Sequence, residues 1–508
     1  MSSSASSAPT AASPVLSLPY IAVQPSAPLV IRDLLAPHSQ VAAEDCWVSC
    51  YRAPTSSESA DGQETQSVHG RFRLAEGDDE GTVEVLKTDE RVQVTLNSTS
   101  GFTVSCPSLS IPPTAILLPS PFLDPLLPSP GTSTNSTSQD APAPCLAQLR
   151  SSGGIDCFAL SPDGRRVVLG GRDGRAQVVE VVEVDQQPGG KALRKGKETA
   201  LRGHSGDLTA VEFFPSSEVI LSGSSDMSLR VFSAVDGTSP RELTGHTKRV
   251  TAVSILRSPS PSGPHKGRSC LSAALDGTLK LWDIASAACV RSWALRQPVT
   301  ALAVFHEGEE DTQDVTKGKV ALAAHADGTV SRVDLSASAS SSSPADTPNL
   351  LQTSSASALD TIDTLALPDG RRAIAVGSRA GVVALFVLPD PSSPPASLPL
   401  VPMASWQRTT GGSSVRAVAL CTRSATSSEE QPGTLSVLVA PSDGLPYRAF
   451  VDLSAGGTDE SAQVTVVEEF VGLDCEPATG VREDRHGRVW ISGGGADGGL
   501  RVYERGKQ

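Results

Sequence analysis

No stretch of 18 apolar residues occurs in this chain, so no helical membrane span is expected. Residues 1–14 are rich in Ser and Ala, and the first Arg is Arg32. A secretory leader needs a basic start and an apolar middle, and a transit peptide needs arginines; neither pattern is present. The nine cysteines are odd in number and form no CxxC pair. That excludes a paired zinc site and a closed disulfide framework, and reduced thiols in the cytosol or nucleus are expected. Cys46 and Cys50 stand four apart, but no second pair completes a metal site. There is no GxxxxGKS or GxxxxGKT, no HExxH and no GxSxG. A non-catalytic protein is expected, with no cofactor, no metal and no catalytic residue.

Aromatic residues are also scarce, at 4% of 508 residues, while Gly (44) and Pro (38) are common. That balance suits many short strands joined by turns. Positive charge is in deficit: the formal net charge is −14. An acidic chain without a basic stripe is a poor binder of nucleic acid, and a basic protein surface is the better partner.

What the chain does have is a recurring unit from about residue 145 to the end. Each copy joins two apolar runs through a tight turn. Examples are ILSGSSDMSLRVFS, CLSAALDGTLKLWD, ALAAHADGTVSRVD, VLVAPSDGLPYRAF and VWISGGGADGGLRVYE. Seven such turns recur at about 50 to 63 residues, so each unit holds more than one hairpin. This period implies a propeller or solenoid. The second and third units each read as four strands, LTAVEFF, EVILSG, LRVFS, RELTG and VTAVSIL, SCLSAAL, LKLWD, VRSWAL. Seven four-stranded units set radially make an all-β, seven-bladed propeller over residues 145–508. The last unit stops after its third strand. LAQLR (146–150) is therefore expected to supply the missing outer strand and close the ring.

Ahead of the repeats, residues 1–19 read as a disordered tail and 20–110 as a small β-rich domain. CWVSCYR, GRFRL, GTVEVLK, RVQVTL and GFTVSC alternate apolar and polar residues there. Residues 111–144 are dense in Pro, Ser and Thr and read as a linker.

Gly203-His204 and Gly245-His246 open the second and third units, and Trp282-Asp283 closes the third. Set at these offsets, the dipeptides resemble the WD40 family. That resemblance implies blade-locking hydrogen bonds among His246, Ser272, Asp276 and Trp282, and among His204, Ser222 and Asp226, where Phe232 replaces the Trp. These groups are expected to be structural, not catalytic.

In such a ring one rim carries long, low-complexity insertions, at 182–197, 257–268, 306–319, 336–349, 389–402 and 422–433. The opposite rim keeps short loops. Long loops are cheap in entropy but obstruct docking, so the short-loop rim is expected to bind the partner. Its carboxylates Asp207, Asp360, Asp474 and Glu476 are expected to grip a basic partner surface.

EDCWVSC, GFTVSCP, LTAVEFFPSSEVILSGSSDMSLRVFS, LSAALDGTLKLWD and FVGLDCEPATGV together resemble one WD40 subfamily, the proteasomal ATPase-associated factors. What this implies is a monomeric assembly chaperone of the proteasome regulatory particle, in cytoplasm and nucleus. It would bind the C-terminal domain of an AAA-ATPase subunit of the base, with no nucleic acid or membrane involved. A general WD40 interaction scaffold, such as a ubiquitin-ligase adaptor or ribosome-biogenesis factor, is the alternative.

Overall fold

The structure is a computed structural model. It describes residues 15–35, 42–53, 65–77, 83–98, 101–120, 122–123, 149–150, 154–172, 174–186, 190–257, 269–307, 315–336, 349–353, 356–389, 399–408, 413–421, 434–454, 463–473, 476–495 and 499–505. It is nearly all β. Among these residues the only α-helix is the short Ala27–Leu34, and no helix is long and apolar enough to cross a membrane.

The repeats form a β-propeller. Four-stranded antiparallel sheets follow one another, and each sheet's first strand lies beside the first strand of the next. The series runs from Cys157–Leu160 through Leu208–Phe213, Val250–Ile255, Val299–His306, Leu359–Ala366 and Val415–Cys421 to Ala478–Glu483. That last strand packs back against Cys157–Leu160. The sheets are called blades below, numbered in this order. Second strands are covered on both faces by neighbouring blades, which is why they read as unbroken apolar runs. Lys319–His325, KVALAAH, is buried at every position.

The first strands share one irregularity. In blades two to seven the pairing slips by one residue, at Leu208/Ala210, Val250/Ala252, Val299/Ala301, Leu359/Thr361, Val415/Ala417 and Ala478/Gly480. A bulge leaves its extra residue free of the ladder and re-aims its side chain. Three of these extra residues bind the next blade. Thr209 donates to the Val250 carbonyl (2.7 Å), Thr251 to Val299 (3.0 Å) and Thr479 to Ile155 (2.6 Å).

Leu149–Arg150 pairs antiparallel with Gly499 and Leu500 on the outer edge of blade seven, as LAQLR was expected to do; residues 146–148 lie outside the described residues. The same edge receives Pro119, bridged to Tyr503.

The N-terminal segment differs from the expected tail, domain and linker. Leu16–Ser17, within the expected tail, pairs parallel with the outer strand of blade five, Ala404–Gln407. Tyr20–Val23, Ala43–Arg52, Gln66–Glu76 and Val83–Thr88 make one antiparallel sheet. The helix packs on it through Ala27, Val30, Ile31 and Leu34, which share one face at helical spacing. Gln93–Ser98, Gly101–Cys106 and Ile111–Leu117 do not stay apart: Ile111–Leu117 pairs parallel with Val464–Phe470 and extends blade six to seven strands. The linker reading of 111–117 is corrected here. Pro112 and Pro113 fall at the start of the strand, ahead of the Ala115–Leu117 stretch that joins blade six, so no needed donor is lost. Ile111, Ile116 and Leu118 then bury in a core shared with Val471 of the propeller. Phe122–Leu123 pairs with the outer strand of blade one, Gly190–Leu201. The chain thus straps the outer edges of blades five, six, seven and one.

One expected insertion is largely strand: Ala176–Gln186 and Gly190–Leu201 run on as a hairpin into 182–197, of which 187–189 lie outside the described residues.

Candidate partner-binding face

The blade locks build from a buried histidine. His246 Nδ1 lies 2.9 Å from Asp276, its Nε2 lies 2.7 Å from Ser272 Oγ, and Trp282 Nε1 donates to the same hydroxyl at 2.8 Å. In blade two His204 reaches Asp226 (2.9 Å) and Ser222 (2.8 Å), while Phe232 only packs near the ring, 6.1 Å between centroids. Burial alone would raise both carboxyls. Hydrogen bonds outweigh it: from the Thr247 amide, Thr278 and His246 to Asp276, and from Ser228, the Ser205 amide and His204 to Asp226. Both are held at about 2. Burial lowers both histidines below their ordinary value against the pull of their aspartates. A neutral imidazole between an ionised acceptor and a hydroxyl is a fixed hydrogen-bond bridge, not a base facing a substrate. Both aspartates also cap the turns that follow, through Ser228 and Thr278.

Other blades are locked by groups that carry no repeat signature. In blade four His325 binds Ser331 (2.8 Å) and the Pro298 carbonyl (3.2 Å). In blade six Arg448, 5% exposed, is held by Glu468 (2.6 Å), Glu483 (3.1 Å) and Ser436 (2.9 Å). Trp406 Nε1 donates to the Tyr447 hydroxyl at 3.0 Å between blades five and six. A search for Gly-His and Trp-Asp dipeptides cannot find these, because none of them uses those dipeptides.

The acidic rim is not what residue types suggested. Asp474 lies outside the described residues. Asp207 is half-buried where the first strand of blade two begins, at the channel mouth. Asp360 is 10% exposed and paired with Arg379 (2.8 Å) and Arg416 (3.7 Å). Glu476 packs against Gly493 and Gly495 and faces Arg501 at 3.7 Å. Asp360 and Glu476 are therefore corrected from partner-gripping carboxylates to internal counter-ions. The exposed charge on this rim is mostly cationic among the described residues. Arg172, Arg202, Lys248, Arg249, Arg296, Arg379 and Arg416 are exposed, against Asp327. Asp156, half-buried at the same mouth, is raised by burial and by Asp207, against Arg172, Arg249 and Arg416. Among the described residues no group of His, Cys, Asp and Glu could hold a metal ion.

Residues 143–179, 196–233 and 237–283 match the family described as WD domain, G-beta repeat. The chain carries WD40 repeats. They fall on blades one to three, and the Gly-His locks and the Trp-Asp pair lie in blades two and three. WD40 relatives match over part of their length. A 53-residue stretch, 10% of this chain and 13% of the relative, is 43% identical to 26S proteasome regulatory subunit RPN14 of Saccharomyces cerevisiae. Protein tipD of Dictyostelium discoideum is 28% identical over 158 residues, 30% of this chain and 22% of tipD. Apoptotic protease-activating factor 1 of Danio rerio is 32% identical over 130 residues, 26% of this chain and 9% of that protein. The chain thus spans less than a quarter of each of these relatives. WD40 repeats on a propeller, with His204, His246, Asp226 and Asp276 held in blade locks, support a protein-interaction scaffold.

Proposed function

We propose that this WD40 scaffold is a non-catalytic assembly chaperone of the 26S proteasome regulatory particle. It binds the C-terminal domain of an AAA-ATPase subunit of the base through the short-loop rim, in cytoplasm and nucleus. The observation that carries the reading is the 43% identity, over 53 residues, to a proteasome regulatory subunit. The short loops support the choice of rim: a partner can approach the channel mouth there without displacing long segments.

The test is direct binding. Recombinant C-terminal domains of the base ATPases are titrated into the full chain by calorimetry, and the tagged chain is captured from lysate. Micromolar or tighter binding of one ATPase domain, with base ATPases captured free of mature core particle, is expected. Binding of none of the ATPase domains would overturn the chaperone reading and leave a scaffold for another complex.

A further inference from the structure

In blades one to six the turn between the second and third strands has one left-handed position, and blade two alone fills it with a residue other than glycine. The turn's left-handed position is held by Gly174, Gly277, Gly328, Gly381 and Gly444, with φ between 70° and 86°. In blade two the same position is Met227, at φ 69°. Left-handed backbone is strained for a residue with a Cβ, and such positions cluster at functional sites, although Ser110, Ser217 and Ala287 also adopt it. Met227 does not repay the strain by packing inside the fold, since it is 44% exposed.

Its side chain borders a groove of about 280 Å³ between blades two and three, with Gly203, Ser205, Arg230, Glu242 and Thr244. Arg230 gives one edge of its guanidinium to Glu242 (2.8 Å), but its Nε is buried with no hydrogen-bond partner. Asp226 at the groove's edge is consumed by His204, Ser205 and Ser228. The flanking loops present Arg202, Lys248 and Arg249 as exposed cations.

We propose that this groove docks an extended segment of a protein partner, which sets an apolar side chain on Met227 and carboxylates against the surrounding cations. Methionine suits the role because its flexible, polarisable side chain adapts to different apolar partners. Nucleic acid fits worse, since an apolar anchor offers a phosphate backbone nothing and the chain is strongly acidic overall. The inference rests on the short-loop rim being the working face, not on which protein binds there.

The chain has three methionines, Met1, Met227 and Met403. Methyl-labelled methionine in the full chain therefore gives three resonances, and Met227→Gly assigns one. Three probes are titrated: the ATPase C-terminal domain that binds best by calorimetry, a peptide alternating Leu and Glu, and polyuridylate. The Met227 methyl should shift with the ATPase domain and with the Leu–Glu peptide, while Met403 stays. Met227→Gly should weaken both about tenfold, with a melting temperature at or above that of the parent chain. An ATPase domain that binds while leaving the Met227 methyl and the Met227→Gly affinity unchanged would overturn the groove and leave the chaperone reading standing. A Met227 shift with the Leu–Glu peptide, with no ATPase domain bound, would do the reverse. A shift with polyuridylate alone would overturn the assignment to a protein partner.

Discussion

Asp360 and Arg416 occupy the same bulge position in adjacent blades and form an ion pair across the seam, 3.7 Å apart. Blades two, three and seven place Thr209, Thr251 and Thr479 there, and each hydrogen-bonds the next blade. The pair thus does with charge what threonine does with a hydroxyl. Asp360 is 10% exposed, but Arg379 and Arg416 are 63% and 46% exposed, and ion pairs to such solvent-facing side chains commonly contribute below about 1 kcal/mol. Asp360→Thr should therefore change stability by less than about 1 kcal/mol in urea unfolding and leave partner affinity unchanged. A tenfold loss of affinity would return Asp360 to the binding surface.

The contrast shows what could be read from the sequence. Blades two and three were legible because each lock combines a Gly-His with a Ser and an Asp four residues apart within a repeated unit. The rim's charge was not. Asp360 is neutralised by Arg379 and Arg416, and Glu476 by Arg501, from other strands or the next blade, so residue type shows the sign but not the pairing. The N-terminal strap was hidden for another reason. Leu16–Ser17 and Phe122–Leu123 pair parallel with blade edges over two residues each, too short for any periodic pattern. Ile111–Leu117 opens with two prolines that look like a linker.

The lock of blade three should be worth more than the bare turn of blade six. Asp276 serves His246, the Thr247 amide and Thr278, whereas Asp443 accepts from the Leu445 amide. Asp276→Ala leaves a buried imidazole without its acceptor and should cost about 1–3 kcal/mol. Asp443→Ala should cost less. The Asp276 carboxyl lies below its ordinary value of 3.8, at about 2, so its contribution is present above that value and lost as pH falls toward 2. Thermal unfolding of both variants at pH 7 measures the difference; equal shifts would mean the network adds nothing to the turn.

Glu469 should hold the N-terminal segment to the propeller. It is 3% exposed, pairs with Arg408 at 2.5 Å and accepts from the Ile21 amide at 3.1 Å. Arg408 in turn stacks over Tyr447 at 4.4 Å and over Tyr20 at 5.4 Å. Removing one partner of a buried pair strands the other charge, so Glu469→Ala should cost about 3–5 kcal/mol. Glu469→Gln keeps an acceptor for Ile21 and should cost less. Hydrogen exchange should report the loss first at Tyr20–Val23. Unchanged protection there would mean the segment is held by its apolar core alone.

Glu212 should make the propeller less stable as pH rises. It stands on the first strand of blade two and accepts from the Ile255 amide of blade three at 3.0 Å. Burial pushes its carboxyl from 4.5 up to about 7, and neither that amide nor the more distant Arg257 and Arg482 offsets it. The folded chain therefore binds more protons than the unfolded chain between those two values. Stability falls as pH rises through this window, and the cost is fully present above about 7. Glu212→Gln keeps the acceptor for Ile255 and removes the charge. It should be more stable than the parent by about 1–2 kcal/mol at pH 8, with the difference gone below pH 4.5. Urea unfolding of parent and variant at pH 4.5 and pH 8 measures both limits. A gain of the same size at both would point to packing, and a loss at pH 8 would mean that Arg257 and Arg482 need the ionised carboxylate.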